Sequence, residues 1–235
     1  MICICSYETP PELLCSLSRR GYDIFPLPCD PSLPADVSFH TDLLVFILED
    51  VLLARRDYYR HAKREIDAIC QRAGLVLRLS EATADCEYPR DCGLCAAVSG
   101  KSIICRQRSA DPMLLSLAQE KGYSVVNVPQ GYAKCSCAVL PDGAVITSDA
   151  GIAKALRNMG ADVLLISPGH VRLPGYDYGF IGGASGVSGN TLYFCGRLED
   201  HPDHGLIMDF AGKHSTQTVS LSGTPLFDVG SLYFI

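Results

Sequence analysis

Residues 160–194, GADVLLISPGHVRLPGYDYGFIGGASGVSGNTLYF, form the clearest structural unit in the sequence. The pattern predicts a short apolar strand at Val163–Ile166, a long loop, and an inner strand that begins after Gly182-Gly183. A tight turn at Ser188–Asn190 and a return strand at Thr191–Phe194 complete a hairpin, because Ser-Gly-Asn is typical hairpin-turn chemistry. Helical segments flank the stretch on both sides.

The same order of elements recurs along the chain, which predicts five repeated units. Four units start at a glycine that ends a helix, which is the usual place for a left-handed glycine. These glycines are Gly21, Gly74, Gly122 and Gly160, and the fifth unit starts near His214. The last unit stops after one hairpin strand, so the apolar segment Ile2–Ser6 is expected to pair there and close a ring.

Helices are predicted between the units. Polar residues followed by proline or by a helical pattern mark their starts, at Thr9, Asp111, Asp149 and Asp200-His201. A further helix is expected from Asp57 to Arg72. Because no linker or low-complexity stretch divides the chain, we expect residues 1–235 to form a single domain.

Composition excludes several classes of function. The chain has 48% hydrophobic and 20% charged residues, which is typical of a packed globular protein. Its net charge of −6 argues against nucleic acid or an anionic membrane as the main partner. The N-terminus lacks the pattern of a signal peptide, so a cytoplasmic protein is expected. The 12 cysteines lie largely in apolar patterns and are expected to act as small hydrophobes.

Five ββαβ-like units with pseudo-fivefold symmetry resemble the pentein fold, the α/β five-bladed propeller of the guanidino-group-modifying enzymes. The sharpest local match is Arg90-Asp91 in YPRDCGLCAAVSGKSIICR. It looks like the Arg-Asp strand start of arginine and agmatine deiminases, where the aspartate binds the substrate guanidinium. The sequence as a whole resembles an uncharacterised bacterial group, a domain of unknown function assigned to this fold.

The resemblance implies a central site. In penteins the inner strands of the five units surround one centre, so the residues at the starts of these strands face one another. Here they are His40, Asp42, Asp91, Gly93, Lys134, Cys135, Gly182, Gly183, Asp228 and Gly230. FDVGSLYF in the fifth unit aligns with RDCGLCAA in the second, which places Asp228 where Asp91 lies in its own unit. Arg90 and the loop residue His170, which could close over the centre, complete the candidate ligand-binding set.

The catalytic pattern departs from the family. Its hydrolases use a cysteine in the last unit, where this chain has Ser231, Tyr233 and Ile235. Cys135 is the best remaining nucleophile candidate, because the adjacent Lys134 would lower the pKa of its thiol. The alternative is a buried structural cysteine.

His40 is the candidate general acid or base. Asp42 follows two residues later and is expected on the same side of a strand. The alternative is a histidine that is hydrogen-bonded at a strand start.

Paired carboxylates are the groups that grip a planar guanidinium. Asp91 and Asp228 could supply them, or each could cap a strand start. Cys92 and Cys95 have a CxxC spacing and His201-Pro-Asp203-His204 is ligand-like, but a zinc site of this kind normally has two such pairs on turns. Neither a metal nor a cofactor is therefore expected.

Three hypotheses remain open. The first is a pentein-fold protein that binds a small cationic, guanidino-like ligand. The second is an active enzyme that acts on C–N bonds of guanidino compounds through Cys135 and His40, like a deiminase, a dimethylargininase or an amidinotransferase. The third is a non-enzymatic interaction protein on the same fold. Cys135 beside His40 in one pocket would favour the second, whereas a filled apolar ring centre would exclude the first two.

Overall fold

The computed structural model describes residues 1–84 and 86–235. In this part of the chain the strands form five sheets of three strands each. In sheet order they are β15 (Tyr233–Phe234), β1 (Ile2–Ser6) and β2 (Asp23–Leu27); β3 (Val45–Leu48), β4 (Val51–Arg55) and β5 (Val76–Ser80); β6 (Ala97–Ser99), β7 (Ser102–Cys105) and β8 (Ser124–Asn127); β9 (Ala138–Val139), β10 (Val145–Thr147) and β11 (Val163–Leu165); and β12 (Ser185–Ser188), β13 (Thr191–Phe194) and β14 (Gln217–Ser220).

Every sheet has the same pairing. The inner strand is antiparallel to the middle strand, and the middle strand is parallel to the outer strand. Each sheet therefore joins the hairpin of one predicted unit to the opening strand of the next, because a parallel neighbour needs a crossover connection. The helices are α1 (Pro11–Arg19), α2 (Thr41–Leu44), α3 (Arg56–His61), α4 (Lys63–Ala73), α5 (Pro112–Glu120), α6 (Ala133–Ser136), α7 (Ala150–Asn158) and α8 (His204–Lys213).

Most of the predicted helix ends are confirmed. Gly21, Gly74, Gly122 and Gly160 all have positive φ, between 68° and 85°. The carboxylates of Asp111 and Asp149 cap α5 and α7 by accepting from the backbone N–H of Met113 and Ile152, both at 2.8 Å.

Two helix predictions need correction. The helix predicted from Asp200-His201 begins only at His204, after a short 3-10 helix at Leu198–Asp200. The helix predicted over Asp57–Arg72 is two helices, α3 and α4, with Ala62 between them.

The two ends of the chain pair as predicted. In β1 and β15, Cys3 lies opposite Phe234 and Ile4 opposite Tyr233. Ile2 and Ile235 exchange backbone hydrogen bonds of 2.8 and 3.1 Å. The inner strand of the last unit is thus held by the N-terminal strand. Within the described residues, no helix has the length and apolar character that crossing a membrane requires.

Helical turns, rather than strands, lead into four of the inner strands. They are α2 and α6 together with turns at 91–94 and 181–184. The predicted strand alternation at His40 and Asp42 is therefore wrong. Cys92 and Cys95, the residues with the CxxC spacing, are both buried in one core cluster with Cys135.

Candidate functional site

Backbone hydrogen bonds join the starts of the inner strands directly. The N–H of Gly183 donates to the carbonyl of Cys135 at 2.8 Å, and the carbonyl of Gly183 accepts from Ser231 at 2.8 Å. The N–H of Asp42 donates to the carbonyl of Gly230 at 3.1 Å. Four of the five units therefore present their turns to one centre, as the resemblance implied.

Three glycines make this close approach possible. A Cβ at Gly183 would overlap the carboxylate of Asp228, and one at Gly182 would overlap the backbone carbonyls of Lys134 and Cys137. Gly230 has a φ of +75°, and a Cβ there would overlap the backbone of His40. Gly182 and Gly183 were predicted to bind ligand. Gly182 packs against the backbone of Lys134 and Cys137, Gly183 packs against Asp228, and both shape the site through their lack of a side chain.

A cavity of about 640 Å³ opens at this centre. Aromatic rings form much of its wall, namely those of Tyr88, Tyr132, Tyr176, Tyr178 and Phe180. Asp91, Asp177, Asp228, His40 and Cys135 also line it. The centre where the inner strands begin is thus neither filled nor purely apolar.

The two carboxylates expected to grip a guanidinium both line this cavity and are both buried. Asp228 accepts backbone hydrogen bonds from Phe180 at 2.8 Å and Gly230 at 3.0 Å. Loss of solvent nevertheless raises the pKa of Asp228 to about 6. Asp91 accepts a hydrogen bond from the Tyr132 hydroxyl. Burial and this hydrogen bond together raise the pKa of Tyr132 far above its ordinary value.

Cys135 lies beside a carboxylate. Its Sγ donates to the two oxygens of Asp42 at 3.0 and 3.1 Å and lies 3.8 Å from the Sγ of Cys95. Burial, followed by the contact with Cys95 and the charge of Asp42, raises the pKa of the Cys135 thiol well above its ordinary value.

The expectation that Lys134 lowers this pKa is therefore wrong. The Nζ of Lys134 donates instead to the Oγ of Ser231 at 3.0 Å, and Ser231 donates to Asp42 at 2.6 Å.

His40 is 1% exposed and lies close to Asp228, Asp42 and Cys135. Its Nδ1 is 3.8 Å from the carboxylate of Asp228. Its Nε2 is buried and has no hydrogen-bond partner among the described residues. Burial lowers the pKa of the imidazole, despite the opposing charge of Asp42. His40, Asp42 and Cys135 each offer one ligand atom, and these three atoms lie within 4.8 Å of one another.

Two candidates lie away from the cavity. Arg90 has a side chain that is 63% exposed and pairs with Glu87 at 3.2 Å. His170 is exposed, and its ring lies 5.2 Å from that of His201. Neither lines the cavity.

Sequence reasoning missed the aromatic wall and the contact of Ser231 with Asp42. The motif YDYGF at 176–180, which is separated from Gly182-Gly183 by Ile181 alone, carried a signal for the wall. Its aromatic residues alternate, and they precede the turn that leads into an inner strand.

Solved structures of known enzymes share this architecture. Dimethylarginine dimethylaminohydrolase from Pseudomonas aeruginosa, in a complex with citrulline, aligns at a TM-score of 0.59 and 12% identity, over 93% of this chain and 91% of that one. An amidinotransferase of saxitoxin biosynthesis from Microseira wollei aligns at 0.52 and 10% identity, over 97% and 93%. Agmatine deiminase from C. jejuni aligns at 0.51 and 8% identity, over 93% and 74%.

These likenesses show the fold alone: the chain is an α/β protein with a pentein-like fold. No curated protein matches its sequence. The model of a family of unknown function, DUF6873, matches residues 4–233, and the chain belongs to that family.

Proposed function

We propose that the protein binds a small cationic ligand carrying a guanidinium or a similar group in the cavity at the ring centre. The observation that carries this proposal is the pair of buried carboxylates, Asp91 and Asp228, on the wall of an aromatic cavity of about 640 Å³. A volume of this size is typical of small-molecule sites.

The lining matches the chemistry of such a ligand. Carboxylates accept charge-assisted hydrogen bonds from a guanidinium. The rings of Tyr88 and Tyr132 lie 5.4 Å apart, centre to centre, and those of Tyr132 and Phe180 lie 6.5 Å apart. Aromatic faces attract cations, and the attraction grows when water is excluded. A planar cation would thus meet negative charge and π surface in the same cavity.

Catalysis is the second candidate, because His40 and Cys135 line the same cavity and their ligand atoms lie within 4.8 Å. Attack on a guanidinium carbon needs a thiolate. The thiol of Cys135, however, is buried beside the carboxylate of Asp42, which disfavours the thiolate. Ser231, in the last unit, is also buried and bonded to Asp42. These contacts favour binding over turnover.

The test is a panel of arginine, agmatine, methylarginines and creatine, with binding followed by calorimetry and ureido product by mass spectrometry. We expect binding without product. Asp228→Asn and Asp91→Asn should weaken binding about ten- to a hundredfold, the value of a hydrogen bond to a charged group. Asp142→Asn, at a surface turn, is the matched control and should bind as wild type.

Other outcomes are equally informative. Product that disappears in Cys135→Ala would establish an enzyme with a relocated nucleophile. Absence of both binding and product would overturn the proposal and favour the interaction protein.

We also propose a cytoplasmic location and a small molecule, rather than nucleic acid or a membrane, as the partner. The support is a set of 12 free cysteines, which suits a reducing compartment, and a net charge of −6.

A further inference from the structure

Three side chains with metal-binding chemistry converge beside the floor of the cavity. They are His40, Asp42 and Cys135, and all three are 2% exposed or less. One potential ligand atom from each lies within 4.8 Å of the other two. In a tetrahedral zinc site, bond lengths of about 2.0–2.3 Å place ligand atoms about 3.3–3.8 Å apart. Small side-chain adjustments would therefore bring the three atoms around one ion.

The imidazole of His40 supplies the second, independent observation. Its Nε2 is buried without a hydrogen-bond partner in the described part of the chain, whereas its Nδ1 faces the carboxylate of Asp228 at 3.8 Å. An orphaned buried nitrogen is costly. Metal-binding histidines commonly have one nitrogen on the metal and the other directed at a carboxylate. His40 therefore has the surroundings of a metal ligand.

Asp42, like His40, has a neighbouring group that would orient it as a metal ligand. Ser231 donates to one of its oxygens at 2.6 Å, and Lys134 holds Ser231 in place at 3.0 Å. Such an outer hydrogen bond orients a ligating carboxylate. The remaining contact of Asp42 is with the thiol of Cys135 at 3.0–3.1 Å. A metal between the two groups would replace that contact.

The charges also balance. A divalent cation would displace the thiol proton of Cys135 to solvent and form a metal–thiolate bond. The cation, the thiolate and the carboxylate of Asp42 then sum to zero net charge in a buried site. One thiolate, one imidazole and one carboxylate form a donor set that suits Zn²⁺ and is too soft for Mg²⁺ or Ca²⁺.

We propose that His40, Asp42 and Cys135 form a three-ligand site for Zn²⁺ at the floor of the cavity. Because His40 and Cys135 both line the cavity, the fourth coordination position faces it. Three protein ligands and one open position are the arrangement of zinc sites that bind a water or a ligand. This inference is independent of the proposed cation binding.

The test is titration of the full-length, chelator-treated, reduced protein with Zn²⁺ and, as a spectroscopic probe, Co²⁺. We expect one tightly bound ion per chain, thiolate-to-cobalt charge-transfer absorption, and a higher melting temperature with zinc. His40→Gln, Asp42→Asn and Cys135→Ser should each weaken binding by more than about a hundredfold, beyond the 10–100-fold typical of outer-shell changes. Three separate variants keep the test decisive if one of them fails to fold.

Three control variants locate the ion. Cys15→Ser removes an exposed thiol and His204→Gln removes an exposed imidazole that contacts the backbone carbonyl of His201, so both should bind as wild type. Cys95→Ala removes the thiol 3.8 Å from Cys135 and should change affinity by less than about tenfold, because that residue is not a ligand. Absence of binding in the wild type, or full affinity in Cys135→Ser, would overturn the inference, and loss of binding in Cys95→Ala would overturn the three-ligand assignment.

The two proposals fail separately. Guanidino compounds are titrated against both metal-free and zinc-loaded protein. Zinc binding without any guanidino binding contradicts only the proposed function. Guanidino binding to a protein that takes up no zinc contradicts only the metal site.

Discussion

Two buried aspartates are handled in opposite ways in this molecule. Asp30 pairs with the guanidinium of Arg55, and both side chains are 5% exposed. It also accepts hydrogen bonds from the backbone and hydroxyl of Ser32 at 2.9 and 2.6 Å. Asp42 is fully buried beside the central cavity, and its partners are a thiol and a hydroxyl. Among the described residues, the nearby ammonium of Lys134 is directed to Ser231.

The two aspartates differ in how the loss of water around a buried carboxylate is compensated. Removing a carboxylate from water is compensated when a cation and hydrogen bonds replace the solvent, as at Asp30. At Asp42 the hydrogen bonds are present and the cation is missing from its direct contacts. A fold that only needed stability would place an apolar residue at position 42 or an arginine beside Asp42. A buried carboxylate without a cation is the state expected of a site that receives one from solution.

The largest effect is expected where the Asp30 pair is broken. Arg55→Ala leaves the carboxylate of Asp30 buried without its partner, which should lower the free energy of unfolding by about 3–5 kcal/mol. Urea denaturation followed by circular dichroism measures this loss. Arg56→Ala breaks the pair with Glu81, whose side chains are 42% and 74% exposed, and should change stability little. Similar losses in the two variants would contradict the assignment of Asp30 and Arg55 as a structural pair.

The centre where the inner strands begin should tolerate a change of charge better than a change of volume. Gly230→Ala adds a methyl group that overlaps the backbone of His40 at a φ of +75°. Strain and overpacking together should cost about 2–4 kcal/mol. Gly189→Ala has a similar φ of +54° with nothing within 4 Å, so only the strain of about 1–2 kcal/mol is expected. Equal melting temperatures for the two variants would show that the strand starts are less tightly packed than the structure has them.

The sequence predicted the repeat better than it predicted the site. Glycine at helix ends and turn residues in hairpins act locally, so Gly74 or Ser188–Asn190 could be interpreted without knowing the fold. The pairing of β1 with β15 was predicted because the last unit stops after one strand of its hairpin. The turns that lead into the inner strands are too short to show a period, so the strand conformation predicted at His40 and Asp42 was wrong, although their side chains do lie close together.

Contacts between units could not be predicted from the sequence pattern. Asp42 and Ser231 are 189 positions apart, and Lys134 contacts Ser231 from a third unit. The neighbour of Cys135 in sequence, Lys134, therefore suggested a lowered thiol pKa, whereas its neighbour in space, Asp42, helps to raise it. Adjacency in sequence misled because a helical turn directs successive side chains about 100° apart.

The next prediction concerns the hydrogen bond that Tyr132 donates to Asp91 on the cavity wall. Tyr132→Phe removes the hydroxyl that donates to Asp91 and should cost about 1–2 kcal/mol, because hydrogen bonds to charged groups exceed neutral ones. Tyr22→Phe removes a hydroxyl that donates to the neutral hydroxyl of Tyr193 at 3.2 Å, and should cost less than about 1 kcal/mol. Thermal unfolding of both variants gives the comparison. A larger loss in Tyr22→Phe would mean that Asp91 is held mainly by other contacts.

The smallest effect is expected from the substitution that tests the opening contrast directly. Asp42→Asn keeps an oxygen that can accept from Ser231 or Cys135 and removes a buried charge without a directly bound cation. In metal-free protein it should change the free energy of unfolding by less than about 1 kcal/mol. Asp30→Asn makes the same chemical change but leaves the charge of Arg55 uncompensated, so it should cost about 3 kcal/mol. If urea denaturation gave equal losses for both, Asp42 would be a structural carboxylate like Asp30, and the argument for a cation from solution would lose its basis.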